Sequence, residues 1–336
     1  MNEKDPNQEF CSSRCAVTGV PLLIKRRGPI DEAVWSGHVA LVDSEGNLLA
    51  GLGDPAAREI YFRSAAKPLQ AVAVLRFEVD LRYGLTEREV AVMCGSHLGE
   101  PDHIAAVESL LARIDCCPGV LYPPNGVRHG CSGKHSGFLA LAVQQGWPVT
   151  DYLEPEHPVQ RTVLSHIAEM CERDPRDIRV ARENCGAPTF GMPLLHMALG
   201  YARLADPGRM AEPVRRACGR VVSAMANHPD MIRGSNTFCT RLNKAGRGAF
   251  VGKWGATGVY GVALLRQGMG LAVKIESGLD QAAFEVVTTS LVQLGVLTPE
   301  VAGEELAEYY QPLIADVCGV PRGHTEVGED FVLPKL

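Results

Sequence analysis

Apolar and polar positions alternate at the two ends of this chain and follow helical spacing in between. Val34 to Asp43, the polar stretch Ser44-Glu45-Gly46-Asn47 and Leu48 to Leu52 read as a β-hairpin with its turn at Gly46. In the C-terminal third, Phe250 to Gly255, Gly258 to Leu265 and Leu271 to Glu276 alternate as antiparallel strands do, with a turn at Gln267-Gly268. The spacing from Ser64 to Phe77 predicts a helix, with Pro68 in the first turn, where a missing N–H costs little. Thr86-Glu87-Arg88-Glu89 is a capping box that opens a second helix through Met93. That helix breaks at Cys94 to Gly99, and another runs from Asp102 to Ile114. Beyond the Gly/Pro-rich loop Pro118 to Gly126, a small-residue apolar helix ends before Gly146. Helical spacing returns near 158–173, 192–205 and 209–226, with the loop Glu183 to Pro188 between the first two. A helix from Leu279 to Leu294 covers the last strands.

Strands first, helices in the middle and strands last predict one antiparallel sheet built from both ends around a helical insert near residues 100–245. That is an α+β layout. Residues 1–20 read as an N-terminal arm and 21–336 as a single unit.

Composition narrows the function. At 46% hydrophobic and 21% charged, the 336 residues can bury a large core and do not read as disordered. A net charge of -6 offers no basic face for nucleic acid. No apolar run approaches the roughly 20 residues that span a bilayer. The polar N-terminus carries Glu3, Asp5 and Glu9 and does not read as a secretion signal, so a cytoplasmic location is expected. The eleven cysteines are then expected to be reduced. Cys94, Cys171, Cys218 and Cys239 read as small buried hydrophobes, and Cys116 and Cys117 as free thiols, since adjacent cysteines form strained bridges.

The candidate chemistry starts at Ser64-Ala65-Ala66-Lys67. A serine hydroxyl is a weak nucleophile that needs a base, and an amine one helical turn away, desolvated at a helix start, could be that base. Ser96, in a glycine-flanked turn beside His97, is a second candidate, although turn serines commonly serve local backbone hydrogen bonds. Lys253 in Lys-Trp-Gly on a predicted strand echoes the Lys-Thr-Gly strand that accompanies S-x-x-K in penicillin-binding proteins and β-lactamases. No convincing S-D-N element lies between them, which argues against a β-lactam substrate. Cys131-Ser132-Gly133-Lys134 and Cys185 lie on separate loops. Their spacing is compatible with an incomplete zinc site or with buried cysteines beside a loop lysine. Gly130 to Lys134 lacks the G-x-x-x-x-G-K-[ST] spacing of a nucleotide loop.

Taken together, the chain resembles the rhizobial-type L-asparaginases, the asparaginase II family. The resemblance runs from about Gly28 to Leu294 and rests on Arg-Ser-x-x-Lys-Pro-x-Gln (Arg63 to Gln70), Ser-His-x-Gly-Glu-Pro-x-His (Ser96 to His103) and Cys-Ser-Gly-Lys-His (Cys131 to His135). It rests equally on His-Pro-x-Gln (His157 to Gln160), Cys-Gly-x-Pro-Thr (Cys185 to Thr189) and Lys-x-Gly-x-x-Gly-Val-Tyr (Lys253 to Tyr260). It implies a fold like the serine β-lactamases and related glutaminases, a homodimer, and hydrolysis of L-asparagine to aspartate and ammonia. It implies Ser64 as nucleophile with Lys67 as its base, and Ser96 with Lys253 as a second Ser–Lys pair. It also implies one Zn²⁺ held by Cys131, Lys134 and Cys185, helping to hold the substrate and dispensable for basic turnover, with substrate contacts from Arg63, His97, His135 and Glu183. Four positions depart from the family pattern: Glu183-Asn184 replaces Asp-Gly before the second cysteine, Gly130 replaces an asparagine before the first, and Ser277 stands where an aspartate is expected.

The expected reaction is covalent acyl transfer. Lys67, kept neutral in part by the Lys253 charge, takes the Ser64 proton, and ammonia leaves through the Ser96/Lys253 pair. A glutaminase or other small-amide hydrolase on the same scaffold is the nearer alternative. A non-catalytic zinc-binding protein is the more distant one, and the two complete Ser–Lys pairs argue against it.

Overall fold

The computed structural model describes residues 19–122 and 126–336, so the expected arm lies outside the described residues for all but its last two positions. The chain enters the sheet at β1 (Val20–Arg27) and turns through Gly28-Pro29 into the long β2 (Ile30–Asp43), which pairs antiparallel with β3 (Leu48–Leu52). β1 was not legible because its period is broken. A register shift between Pro21 and Leu23 lets both Leu22 and Leu23 turn inward, and the strand ends in the charged run Lys25-Arg26-Arg27. The short β4 (Glu59–Tyr61) leads through a 3-10 turn at Arg63–Ala66 into α1 (Lys67–Leu75). Every residue of α1 is buried, which makes it the central helix of the helical layer on this side of the molecule.

Around it come α2 (Val79–Tyr83), α3 (Glu87–Met93), α4 (Pro101–Arg113), α5 (Ser132–Gln145) and α6 (Pro158–Cys171). The capping box on Thr86 is present: its hydroxyl accepts from the Glu89 N–H while the Glu89 carboxylate accepts from the Thr86 N–H. The expected loop at Glu183–Pro188 is the turn of a hairpin between β5 (Arg179–Arg182) and β6 (Pro188–Pro193), and β6 also pairs with β4 to make a small second sheet. Then come α7 (Leu194–Ala205), α8 (Glu212–Asn227) and α9 (Phe238–Ala245). The chain returns to the main sheet with β7 (Phe250–Gly255), β8 (Val259–Leu264) and β9 (Met269–Ile275). α10 (Asp280–Gln293), α11 (Pro299–Glu305), β10 (Ile314–Ala315) and β11 (Pro321–Val327) complete it.

The main sheet runs β10-β11-β1-β2-β9-β8-β7, with β3 on β2, and its pairings are antiparallel. Strands from the two ends of the chain meet where β2 lies against β9, so the molecule is α+β with a sheet built from both termini. Both faces are covered. A side chain on Gly261 would fall 2.2 Å from the Tyr201 ring of α7, whereas its neighbour Tyr260 packs edge-on against Phe284 of α10. Period-two alternation therefore sends successive residues to opposite helical layers, so β7 to β9 are buried on both faces and do not show the one-sided apolar–polar alternation expected of them. The described cysteines are all free thiols. Among the described residues no helix is long and apolar enough to cross a membrane.

Candidate active site

Four separate elements converge beside the start of α1. Ser64 sits in the 3-10 turn, half-buried, and Lys67 opens α1, fully buried. Ser96 lies on the loop between α3 and α4, and Lys253 lies on β7. The turn that presents Ser64 is strained: Arg63 has φ +51, a left-handed conformation that costs a non-glycine residue about 1–2 kcal/mol. It is held from three sides. The Phe62 N–H donates to the Phe190 carbonyl at 2.9 Å, the Tyr201 hydroxyl to the Ala65 carbonyl at 2.7 Å, and Arg63 Nε to the Glu183 carboxylate at 3.0 Å. The end of β7 closes over the turn, since a side chain on Gly255 would meet the Phe62 carbonyl at 2.5 Å.

The Lys67 amine donates to the Gly95 carbonyl at 2.6 Å, Ser96 Oγ at 2.9 Å, the Gly130 carbonyl at 3.3 Å and Cys131 Sγ at 3.3 Å. Ser64 is not among these partners, so the hydrogen-bonded Ser–Lys pair is Lys67 with Ser96. Burial pulls the Lys67 pKa down, opposed by the Cys131 sulfur, and the cation that lowers it most is Lys134. The Lys253 amine donates to the Trp254 carbonyl at 2.7 Å. Complete burial, with the positive charges of Lys67 and Arg233 adding to it, lowers the Lys253 pKa to about 7.

On the other side of Lys67 lie the sulfur-bearing residues. Cys131 caps α5, Lys134 is in its first turn, and Cys185 sits in the hairpin turn that Gly186 closes at φ +81. Lys134 Nζ is 3.3 Å from Cys185 Sγ. The Cys185 thiol hydrogen-bonds to Cys131, which holds the Cys131 pKa well below a free thiol's against the cost of burial, and raises that of Cys185. Arg63, Ser64, Lys67, Gln70, Cys131, Lys134, Glu183 and Pro188 line one narrow cavity with room for about one water molecule. Among the described residues no group of three or more His, Cys, Asp or Glu side chains could hold a metal, so a site here depends on the lysine nitrogen. Two sulfurs and an amine from facing elements are a donor set suited to Zn²⁺ once the amine is neutral.

The two histidines expected to face substrate have internal partners. His97 Nε2 meets Ser132 Oγ at 2.8 Å, its Nδ1 accepts from the Gly99 N–H at 3.1 Å, and the ring stacks on His103. Burial drops its pKa to about 3. His135 Nδ1 meets the Tyr152 hydroxyl at 2.8 Å, and burial holds its pKa well below that of a free imidazole. Both rings hold loops in place around the site. Two residues to which the sequence assigned no site role belong here: Gln70, named only as a motif position, buried one turn beyond Lys67 and lining the cavity, and Arg233, considered below. Gln70 could have been found from its i,i+3 spacing to Lys67; Arg233 had no local signal.

A family model described as L-asparaginase II matches residues 24–125 and 121–327. A crystal structure described as a beta-lactamase from Mycobacterium bovis is similar over 81% of this chain and 94% of that chain, at 14% sequence identity and a TM-score of 0.43. No curated protein matches the chain.

Proposed function

Because the chain belongs to the L-asparaginase II family, and so is an amidohydrolase acting on asparagine, we propose that it works through an acyl-enzyme on Ser64. The observation that carries this reading is the fully buried Lys67 amine, three residues after a half-buried serine and bonded to a second serine. Lys67 takes the Ser64 proton as the hydroxyl attacks the side-chain amide carbon of asparagine. Ser96 Oγ, already joined to Lys67 at 2.9 Å, passes a proton to the departing ammonia and recovers one from Lys67. This route assigns to Lys67 the role that family resemblance assigns to Lys253. Lys253 contributes a positive charge that is half-lost near pH 7. The Ser64 N–H supplies one donor to the oxyanion. Water then hydrolyses the aspartyl ester and regenerates Ser64.

The donor set on the far side of Lys67 supports the zinc reading: Cys131, Cys185 and a neutral Lys134 would hold the ion. Bound Zn²⁺ would supply a positive charge at the cavity wall that helps to hold the substrate. Glu183, anchored by Arg63, faces the same cavity and keeps that wall in place. The homodimer and the cytoplasmic setting belong to this reading and are open to sedimentation and fractionation.

Replacing Ser64 by Ala is expected to abolish ammonia release while leaving the far-UV spectrum and melting temperature unchanged. Near wild-type turnover in Ser64→Ala would sink the assignment. Parallel assays with L-glutamine separate a glutaminase, and chelation separates the rival reading of a structural zinc protein. That rival requires the chain to unfold without metal, whereas the present one expects a folded protein.

A further inference from the structure

The cations around the site are not equivalent. Lys67 and Lys253 are buried and donate to protein acceptors, Lys134 lies against Cys185, and the Arg63 guanidinium is paired with Glu183. Arg233 differs from all of them. It is half-buried, and among the described residues its one side-chain hydrogen bond is a long contact of 3.5 Å from Nη1 to the Ser96 carbonyl, so most of its donors are unspent there. Its guanidinium lies 4.2 Å from the centre of the Trp254 ring, the residue whose carbonyl holds Lys253. Among the described residues it has no carboxylate partner.

The backbone that carries Arg233 is fixed against the loop that carries Ser96. The Ser96 N–H donates to the Ile232 carbonyl and the Leu98 N–H to the Arg233 carbonyl, each at 2.8 Å. Two residues on, the Glu100 carboxylate takes the Ser235 N–H at 3.0 Å and its hydroxyl at 2.8 Å. The guanidinium is thus stacked, anchored through its backbone, in contact with the backbone of Ser96 and lying on the neighbour of Lys253. A planar guanidinium with free donors is built for a carboxylate, which it binds in a bidentate fork. Stacking on tryptophan limits the freedom the side chain must lose when it binds.

On the amidohydrolase reading, we infer that Arg233 is the specificity-determining residue that takes the α-carboxylate of the substrate, so that the site selects ω-amides of amino acids with a free α-carboxyl group.

The test compares wild type, Arg233→Met and Arg233→Lys on two substrates: L-asparagine, and its α-methylamide, from which ammonia can come only from the side chain. Losing a charged hydrogen bond to a carboxylate is expected to raise KM for L-asparagine about 10- to 100-fold in Arg233→Met, with kcat within a few fold. Arg233→Lys should recover part of the loss. On the α-methylamide, wild type and Arg233→Met should be equally poor. An unchanged KM for L-asparagine in Arg233→Met overturns the inference. So does an equal proportional loss on both substrates, because that is the mark of a merely structural role. A matching melting temperature guards against misfolding, and Arg233→Lys repeats the comparison if the methionine variant is unstable. Ser64→Ala, assayed alongside, tests the acyl-enzyme separately: residual turnover there removes that mechanism and leaves the Arg233 comparison standing.

Discussion

The Lys67 amine makes contacts that a helix-face argument does not require. An i,i+3 relation puts a serine and a lysine on one side of a helix, but Ser64 precedes α1 in a 3-10 turn, and the amine points instead to the α3–α4 loop. On the proposed mechanism one lysine serves two hydroxyls, near Ser64 by sequence and bonded to Ser96 by folding. If Ser96 relays the proton to ammonia, Ser96→Ala should lower kcat for L-asparagine about 10²- to 10⁴-fold, the usual worth of a positioned general acid, with little change in KM. Single-turnover kinetics would show the deficit in acylation. A variant that kept the wild-type rate would return the proton-relay role to Lys253. Gly130 matters at the same scale, because its carbonyl accepts from both Lys67 and the His97 N–H, and a side chain there would meet the His97 carbonyl at 2.7 Å. The resemblance leads one to expect an asparagine at this position, and the His97 carbonyl leaves little room for any side chain there.

Among the elements, the seating of α5 on α3 decides where the cysteine and lysine donors lie. A side chain on Gly133 would fall 2.2 Å from the Val92 carbonyl, a backbone atom that cannot step aside. Gly133→Ala should push the first turn of α5 outward, moving Cys131 and Lys134 together. Overpacking of this kind costs about 1–3 kcal/mol, so calorimetry should show a lower melting temperature, and titration with Zn²⁺ should show weaker binding. Preserved zinc affinity would mean that α5 does not set the donor positions. Elements with an undisturbed period were readable in advance: the capped α3, the apolar α5, and β7 to β9 all lie within a few residues of their expected bounds. Others carried no such signal. β1 is bulged, β4 has three residues, and β5 and β6 flank a turn whose Cys-Gly sequence reads as a loop. The same limit applies to the site. Ser64, Lys67, Cys131 and Lys134 stand close in sequence and could be paired by spacing. The approach of Arg233 to Ser96 spans 137 positions, and only the folded chain brings them together.

For the molecule as a whole, the cost of this arrangement is a lysine without water in the middle of the fold. Lys253 is fully buried and its pKa falls from 10.5 to about 7, so the folded protein gives up a proton that the unfolded chain still holds between those values. Where the unfolded state binds more protons, stability rises with pH. Lys253 therefore destabilises the fold most at and below about pH 7, and the penalty fades toward pH 10.5. Its slope is at most about 1.4 kcal/mol per pH unit. Lys253→Met removes the titrating group while keeping much of its volume. The variant should be more stable than wild type at neutral pH by a few kcal/mol, less the loss of the bond to the Trp254 carbonyl. That advantage should shrink steadily between pH 7 and pH 9. Urea unfolding of both proteins across this range measures it, and the slope of the difference is the deciding quantity, because the lost hydrogen bond shifts its level alone. A difference independent of pH would mean that Lys253 keeps its proton in the fold. If the variant gains stability and loses turnover, the buried amine is retained for chemistry at the expense of stability, as functional sites commonly are.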